Sequence, residues 1–172
     1  MNKVKLGDSI FTQTSSPIKC AGSPQKIMWL ALNHWQNAGL YKKDPSSPIK
    51  ITFAQGMPTM FSVPHYSKVL DELREERGVT GLFQHNLVAI EDNAKTAVFQ
   101  RPDGEQVKKS FDFMHVVPTM SPPEFLKKSS LANSGGYAEV DQGTLRHVKY
   151  NNVWSLGDSS SPVSYSHRRL PT

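Results

Sequence analysis

The chain has 172 residues, enough for one sizeable core or for one domain with part of another. Lys and Arg number 20 against 15 Asp and Glu, for a net charge of +5, and the excess lies largely towards the ends (Lys3, Lys5, Lys19, Lys26, then Arg168 and Arg169). No run of five basic residues and no aromatic-basic motif occurs, which argues against nucleic acid as a partner. No apolar run reaches the ~20 residues that span a bilayer, and a lone cysteine, Cys20, rules out an intramolecular disulfide and an all-cysteine metal site.

In chain order the pattern is mixed α and β. Ser9 to Lys19 reads as extended. Ser23 and Pro24 then supply an N-cap and a first-turn proline for a helix to about Asn37, with Gly39 as its stop. Its expected apolar side is Ile27, Leu30, Ala31 and Trp35, widened by Met28 and Leu32. Ile49 to Phe53 is a short strand. Gly56, Pro58 and Pro64 interrupt the chain before a second helix, where Tyr66, Val69, Leu70 and Leu73 recur at helical spacing and Gly78 closes. Asp71, Glu72, Arg74, Glu75, Glu76 and Arg77 on that helix read as a solvated face.

Leu82 to Ile90, Thr96 to Gln100 and Val107 to Phe111 are expected strands, with a hairpin turn at Asp103 and Gly104 between the last two. Phe113 to Val117 is one more. Strand, helix, strand, helix and then an antiparallel meander is the order of a nucleotide-binding α/β domain. Beyond Pro118 the texture changes: Pro122 and Pro123 break the chain, Glu124 to Ser130 is a short helix, Gly135 and Gly136 open a loop, and Val153 to Leu156 reads as a buried strand ending at Gly157 and Asp158. The polar stretch Ser159 to Thr172 carries no apolar period and is expected to be disordered.

Three segments carry a resemblance. Ser16-Pro17-Ile18-Lys19-Cys20-Ala21-Gly22-Ser23-Pro24-Gln25-Lys26-Ile27-Met28 resembles the cysteine-bearing stretch of the mitochondrial-type sulfide:quinone oxidoreductases. Met114-His115-Val116-Val117-Pro118-Thr119-Met120-Ser121-Pro122-Pro123-Glu124 is similar to that family's return crossover towards the flavin domain, and Asn152-Val153-Trp154-Ser155-Leu156-Gly157-Asp158 to its flavin-touching strand. The likeness runs from about Leu6 to Asp158. It implies an α/β fold, an incomplete Rossmann-like FAD/NAD(P)-binding two-domain flavoprotein fragment with a β-meander crossover. Residues 1–118 would be the second nucleotide-binding-type domain, 119–158 the crossover and part of the FAD domain, and 159–172 a divergent tail.

The resemblance further implies oxidation of hydrogen sulfide through a cysteine persulfide, with electrons passing through FAD to ubiquinone and the sulfur to a sulfane-sulfur acceptor. Cys20 would be the catalytic cysteine that carries the persulfide. Gly157 and Asp158 would contact FAD, with Asp158 accepting a hydrogen bond from a hydroxyl of the flavin's side arm. Pro118 to Pro123 would shape a pocket or serve as linker. The family's location is the mitochondrial inner membrane, reached through segments that this sequence does not include.

Two features depart from the pattern. No G-x-G-x-x-G follows a strand, so the loop that would cradle the FAD pyrophosphate is not here, and neither is a second redox cysteine. The chain alone is therefore expected to be inactive. Two other readings stand beside this one: an NADH-type pyridine-nucleotide flavoprotein oxidoreductase, and a non-catalytic α/β interaction module. His34, His65, His85, His115, His147 and His167 form no H-x-x-x-H or H-E-x-x-H pattern, so no metal is expected.

Overall fold

The computed structural model describes residues 6–15, 18, 20–93 and 95–161. Lys19 and the stretch 162–172, and with them most of the expected tail, lie outside these. The described residues form two compact units, one of residues 6–15 and 21–119, the other of Ile18, Cys20 and residues 120–161.

In the first unit, β1 (Gly7–Gln13), α1 (Ser23–Asn37), β2 (Ile49–Gln55), α2 (Pro64–Glu76) and β3 (Thr80–Leu82) alternate. The antiparallel meander β4 (Asn86–Glu91), β5 (Thr96–Gln100) and β6 (Gln106–Ser110) follows, and β7 (Phe113–His115) returns to the first sheet. That sheet is parallel throughout, in the order β3-β2-β1-β7. The expected Leu82 to Ile90 strand is two elements: β3 and β4 belong to different sheets, and the chain turns between them at Gln84, whose φ is +57°.

Parity along β1 and β2 explains how the layers assemble. Phe11 and Phe53 are register partners, so both point to the same face, where they meet Met28, Ala31, Leu32 and Trp35 of α1. Ile10 and Ala54 point the other way and pack with Ala97 and Phe99 of β5. Because helix covers one face and meander the other, Ser9 to Gln13 is buried without alternation.

Both helices orient differently from the expected stripes. Leu30 is 62% exposed. It lies about 200° round α1 from Met28 at ~100° per residue, and the buried line is Pro24, Met28, Ala31, Leu32 and Trp35. The N-cap position is held by Gly22, not Ser23, with no side-chain cap. On α2 Tyr66 and Val69 are exposed, while Ser67 is the buried residue and Leu70 packs against the core. Arg74 shares that line, so it does not belong to a solvated face. Its side chain is 12% exposed, ion-paired with Asp71 and Glu75. It donates to the Val79 carbonyl at 2.7 Å and lies over the Phe83 ring.

The second unit is held by isolated bridges, Ala132 with Ala138, Val140 with His147, Arg146 with Trp154 and Ala138 with Ser160, plus the short α3 (Glu124–Lys127). Packing continues past Asp158: Ser160 is buried, and the amide of Ser161 donates to the Ala138 carbonyl. Val153 to Leu156 is not a buried strand, because Trp154 is 59% and Leu156 66% exposed, with no apolar layer over them among the described residues.

His147 is the polar centre of this unit. Its ring is 2% exposed. Nδ1 accepts from the amides of Lys149 and Tyr150, so the proton sits on Nε2, which donates to the Leu131 carbonyl at 3.0 Å. His147→Ala leaves three part-buried backbone groups without that partner and is expected to cost about 1–3 kcal/mol. His147→Asn, which keeps an acceptor near Nδ1, is expected to cost less. Amide hydrogen exchange at Lys149 and Tyr150 reads the difference.

The loop Asp141 to Leu145 is closed by one carboxylate. Asp141 accepts from the Thr144 amide, the Thr144 hydroxyl and the Gly143 amide, all within 3.1 Å. The Thr144 amide, first, and its hydroxyl hold the Asp141 carboxyl below its ordinary value, with Gly143 and Arg146 adding to this. A depressed folded-state value means that the stabilisation is full above the unfolded carboxylate range near ~4 and is lost as pH falls through the folded value. Asp141→Asn is therefore expected to flatten the acid limb of the stability curve of this loop, measured by thermal melts from neutral pH downwards.

Candidate functional site

Cys20 is exposed and lies two residues before Gly22, the N-cap of α1. The helix opens with a proline and has no acidic residue in its first turn. Lys26, one turn in, donates its amide to the Gly22 carbonyl, and its Cε lies 3.7 Å from where a Gly22 Cβ would be.

Gly157 and Asp158 open a short 3-10 turn, Gly157–Ser159, closed by the Ser160 amide and hydroxyl on the Gly157 carbonyl. Gly157 sits at φ +73°, a conformation that suits glycine, and no atom lies within 4 Å of where its Cβ would be. Asp158 is exposed, and among the described residues its carboxylate forms no hydrogen bond or ion pair. A carboxylate so presented beside an open glycine fits a ligand hydroxyl. The proline segment Pro118 to Pro123 adopts no regular structure, and Pro123 is the extended residue that precedes α3.

Sequence reasoning passed over two residues in the first unit. Gln13 and Gln55 end β1 and β2 as register partners, at the carboxyl edge where open α/β sheets place ligands. Their Oε1 atoms are buried without a hydrogen-bond partner among the described residues. The signal was the repeat of Phe-x-Gln at both strand ends, Phe11-Thr12-Gln13 and Phe53-Ala54-Gln55. His115 Nδ1, at the end of neighbouring β7, is another such atom, and its ring stacks on Phe11 at 6.0 Å. Among the described residues no cluster of His, Cys, Asp and Glu is placed to hold a metal, and no helix is long and apolar enough to cross a membrane.

No protein-family profile matches the chain. Individual proteins do. The mitochondrial sulfide:quinone oxidoreductase of Dictyostelium discoideum is 44% identical over 154 residues, which is 89% of this chain and 33% of that protein. The protein of the same name from Schizosaccharomyces pombe is 40% identical over 174 residues, 99% of this chain and 37% of its own length. The chain thus spans about a third of the length of the curated relatives it matches.

Among solved structures, the sulfide:quinone oxidoreductase of Aquifex aeolicus superposes with a TM-score of 0.75 at 14% identity, over 90% of this chain and 36% of the other. NDH2 of Plasmodium falciparum in complex with NADH gives 0.66 at 14% identity, over 91% and 32%. At these identities the structures speak for the fold alone, which is that of part of an FAD/NAD(P)-binding flavoprotein. This chain is a homologue of the mitochondrial sulfide:quinone oxidoreductases, corresponding to about a third of their length.

Proposed function

We propose that this chain supplies the persulfide-carrying cysteine, and part of the flavin contact, of an FAD-dependent sulfide:quinone oxidoreductase in mitochondria. The observation that carries the reading is the exposed Cys20 at the head of α1, in a chain 38–44% identical to proteins of that name. A thiolate is the nucleophile suited to sulfur transfer.

In the assembled protein, the Cys20 thiolate attacks the outer, unsubstituted sulfur of a hydropersulfide or polysulfide. A new bond forms between Sγ and that sulfur, the old bond breaks, and its electron pair leaves on the other sulfur as a thiolate. Cys20 then holds a persulfide, whose outer sulfur passes to a sulfane-sulfur acceptor. The second thiol that closes the cycle comes from outside these residues, since Cys20 is the one cysteine in the sequence.

Asp158 and Gly157 would hold the side arm of FAD, the carboxylate accepting from a hydroxyl and the glycine letting the backbone come close. FAD, when bound, supplies the two-electron acceptor between sulfide and ubiquinone. Membrane association, and with it access to the quinone, would come from segments beyond this sequence.

Exposure of the chain to an inorganic polysulfide, followed by alkylation and mass spectrometry, tests the first step. The expected result is one added sulfur on Cys20, removed by dithiothreitol. Failure to load sulfur at any pH at which the chain stays folded would rule the assignment out. In parallel, retention of yellow flavin absorbance after FAD addition and desalting, lost on Asp158→Ala, tests the contact at Gly157 and Asp158.

A further inference from the structure

We propose that a depression at the amino edge of β2 and β3, opposite the sheet edge where nucleotide ligands sit, binds a phosphate or pyrophosphate group. The depression has a volume of about 270 Å³ and is lined by Tyr41, Lys42, Lys43, Asp44, Lys50 and Gly78, with Ile49 and Ile51 of β2 beneath. Drug-sized ligands occupy about 300–1,000 Å³, so this space suits an anionic group of one or two phosphates. All of these residues belong to the first unit.

Fewer than half of the described basic residues are ion-paired; what distinguishes this patch is that three of the unpaired lysines line one depression. Arg74, Arg101, Lys68, Lys108, Lys127 and Lys128 each meet a carboxylate within 4 Å. Lys42, Lys43 and Lys50 have no ion pair among the described residues; Lys50 donates only to the Pro45 carbonyl. The one carboxylate in the lining, Asp44, turns back on Ser46, accepting from its amide and its hydroxyl. Those Ser46 hydrogen bonds, with the fields of Lys42 and Lys50, hold the Asp44 carboxyl below its ordinary value, so both ammonium groups act on one point of this surface.

The loop beside the depression is fixed by its own hydrogen bonds. Ser47 is buried and satisfied, accepting from the Lys42 amide and donating to the Ile49 carbonyl, which fixes the loop that carries Lys42 and Lys43. Tyr41 donates to the Arg77 carbonyl at 2.7 Å. Gly78, at φ +72°, is packed closely by the wall: a Cβ there would lie 3.0 Å from Lys43 Cγ and 3.3 Å from the Tyr41 oxygen, so a side chain would crowd both. Three lysines lining one depression, with Asp44 the single carboxylate among them, favour a multiply charged oxyanion over chloride through charge-assisted hydrogen bonds. A solvated lysine face would instead show no preference between them.

The test titrates inorganic pyrophosphate into the whole chain by calorimetry in buffer of about physiological ionic strength. Saturable binding is expected, weakened about tenfold by each of Lys42→Ala, Lys43→Ala and Lys50→Ala, and unchanged by Lys68→Ala on α2. A second arm uses vesicles of phosphatidylcholine with and without phosphatidic acid. Lysine-dependent binding to the acidic vesicles alone assigns the site to a lipid headgroup, and lysine-dependent binding of pyrophosphate to a soluble phosphate. Binding in neither arm, or binding that the triple lysine variant retains, overturns the proposal. These readouts leave the role of Cys20 untouched.

Discussion

Replacement of Cys20 by serine is expected to abolish sulfur loading of the chain while leaving its melting temperature and circular dichroism unchanged. The two halves of that expectation rest on different facts. A serine hydroxyl is isosteric within a few tenths of an ångström, but at neutral pH it has no counterpart to the thiolate, and it forms no persulfide. Stability should not move, because Cys20 is exposed and lies outside both buried clusters of the first unit, and surface changes of this kind usually fall within about 0.5 kcal/mol. In a longer homologue that contains the second thiol, the same change at the matching residue should stop sulfide-dependent quinone reduction with flavin still bound. Sulfur loading that persists in Cys20→Ser would refute the proposed role, since no other cysteine is present to take it.

The first unit was legible in the sequence to a greater depth than the second, and for a physical reason. Hydrophobic period and turn chemistry are local signals, and in the first unit they act on elements that find their cover nearby. The helix from Ser23 to Asn37, the Asp103-Gly104 turn with Gly104 at φ +87°, and the strand at Phe113 all fall where their residues place them. Which side of a helix is buried depends on what it packs against. Leu30 and Val69 look as apolar as Leu32 and Leu70, yet the sheet takes one pair and leaves the other to solvent.

Val153 to Leu156 shows the same limit in the second unit. Its composition is that of a buried strand, yet among the described residues its pairing is a single bridge to Arg146. Of the proposed site, Cys20 could be singled out in the sequence because a lone cysteine inside a specific motif stands out. Gln13 and Gln55 could not, because a glutamine at a strand end becomes informative only when its burial and its unmet acceptor are known.

The aromatic cluster of the first unit gives the sharpest test of its packing. Trp35 is fully buried, its ring centroid 6.2 Å from Phe11 and 6.0 Å from Phe113, the latter edge-on at 88°. Trp35→Ala removes the largest side chain of the core and is expected to cost about 3–5 kcal/mol, a third or more of the stability of a domain of this size. Trp35→Phe separates ring packing from the indole nitrogen. Nε1 is buried without a hydrogen-bond partner among the described residues, and an unmet donor costs about 1–3 kcal/mol. Deleting it offsets much of the apolar area lost with the smaller ring, so the phenylalanine variant is expected within about 1.5 kcal/mol of the parent. Urea denaturation followed by far-ultraviolet circular dichroism measures both. A phenylalanine variant as unstable as the alanine one would mean that the indole N–H has a partner in solution, and that the ring packing of Phe11, Trp35 and Phe113 is not what holds α1 to the sheet.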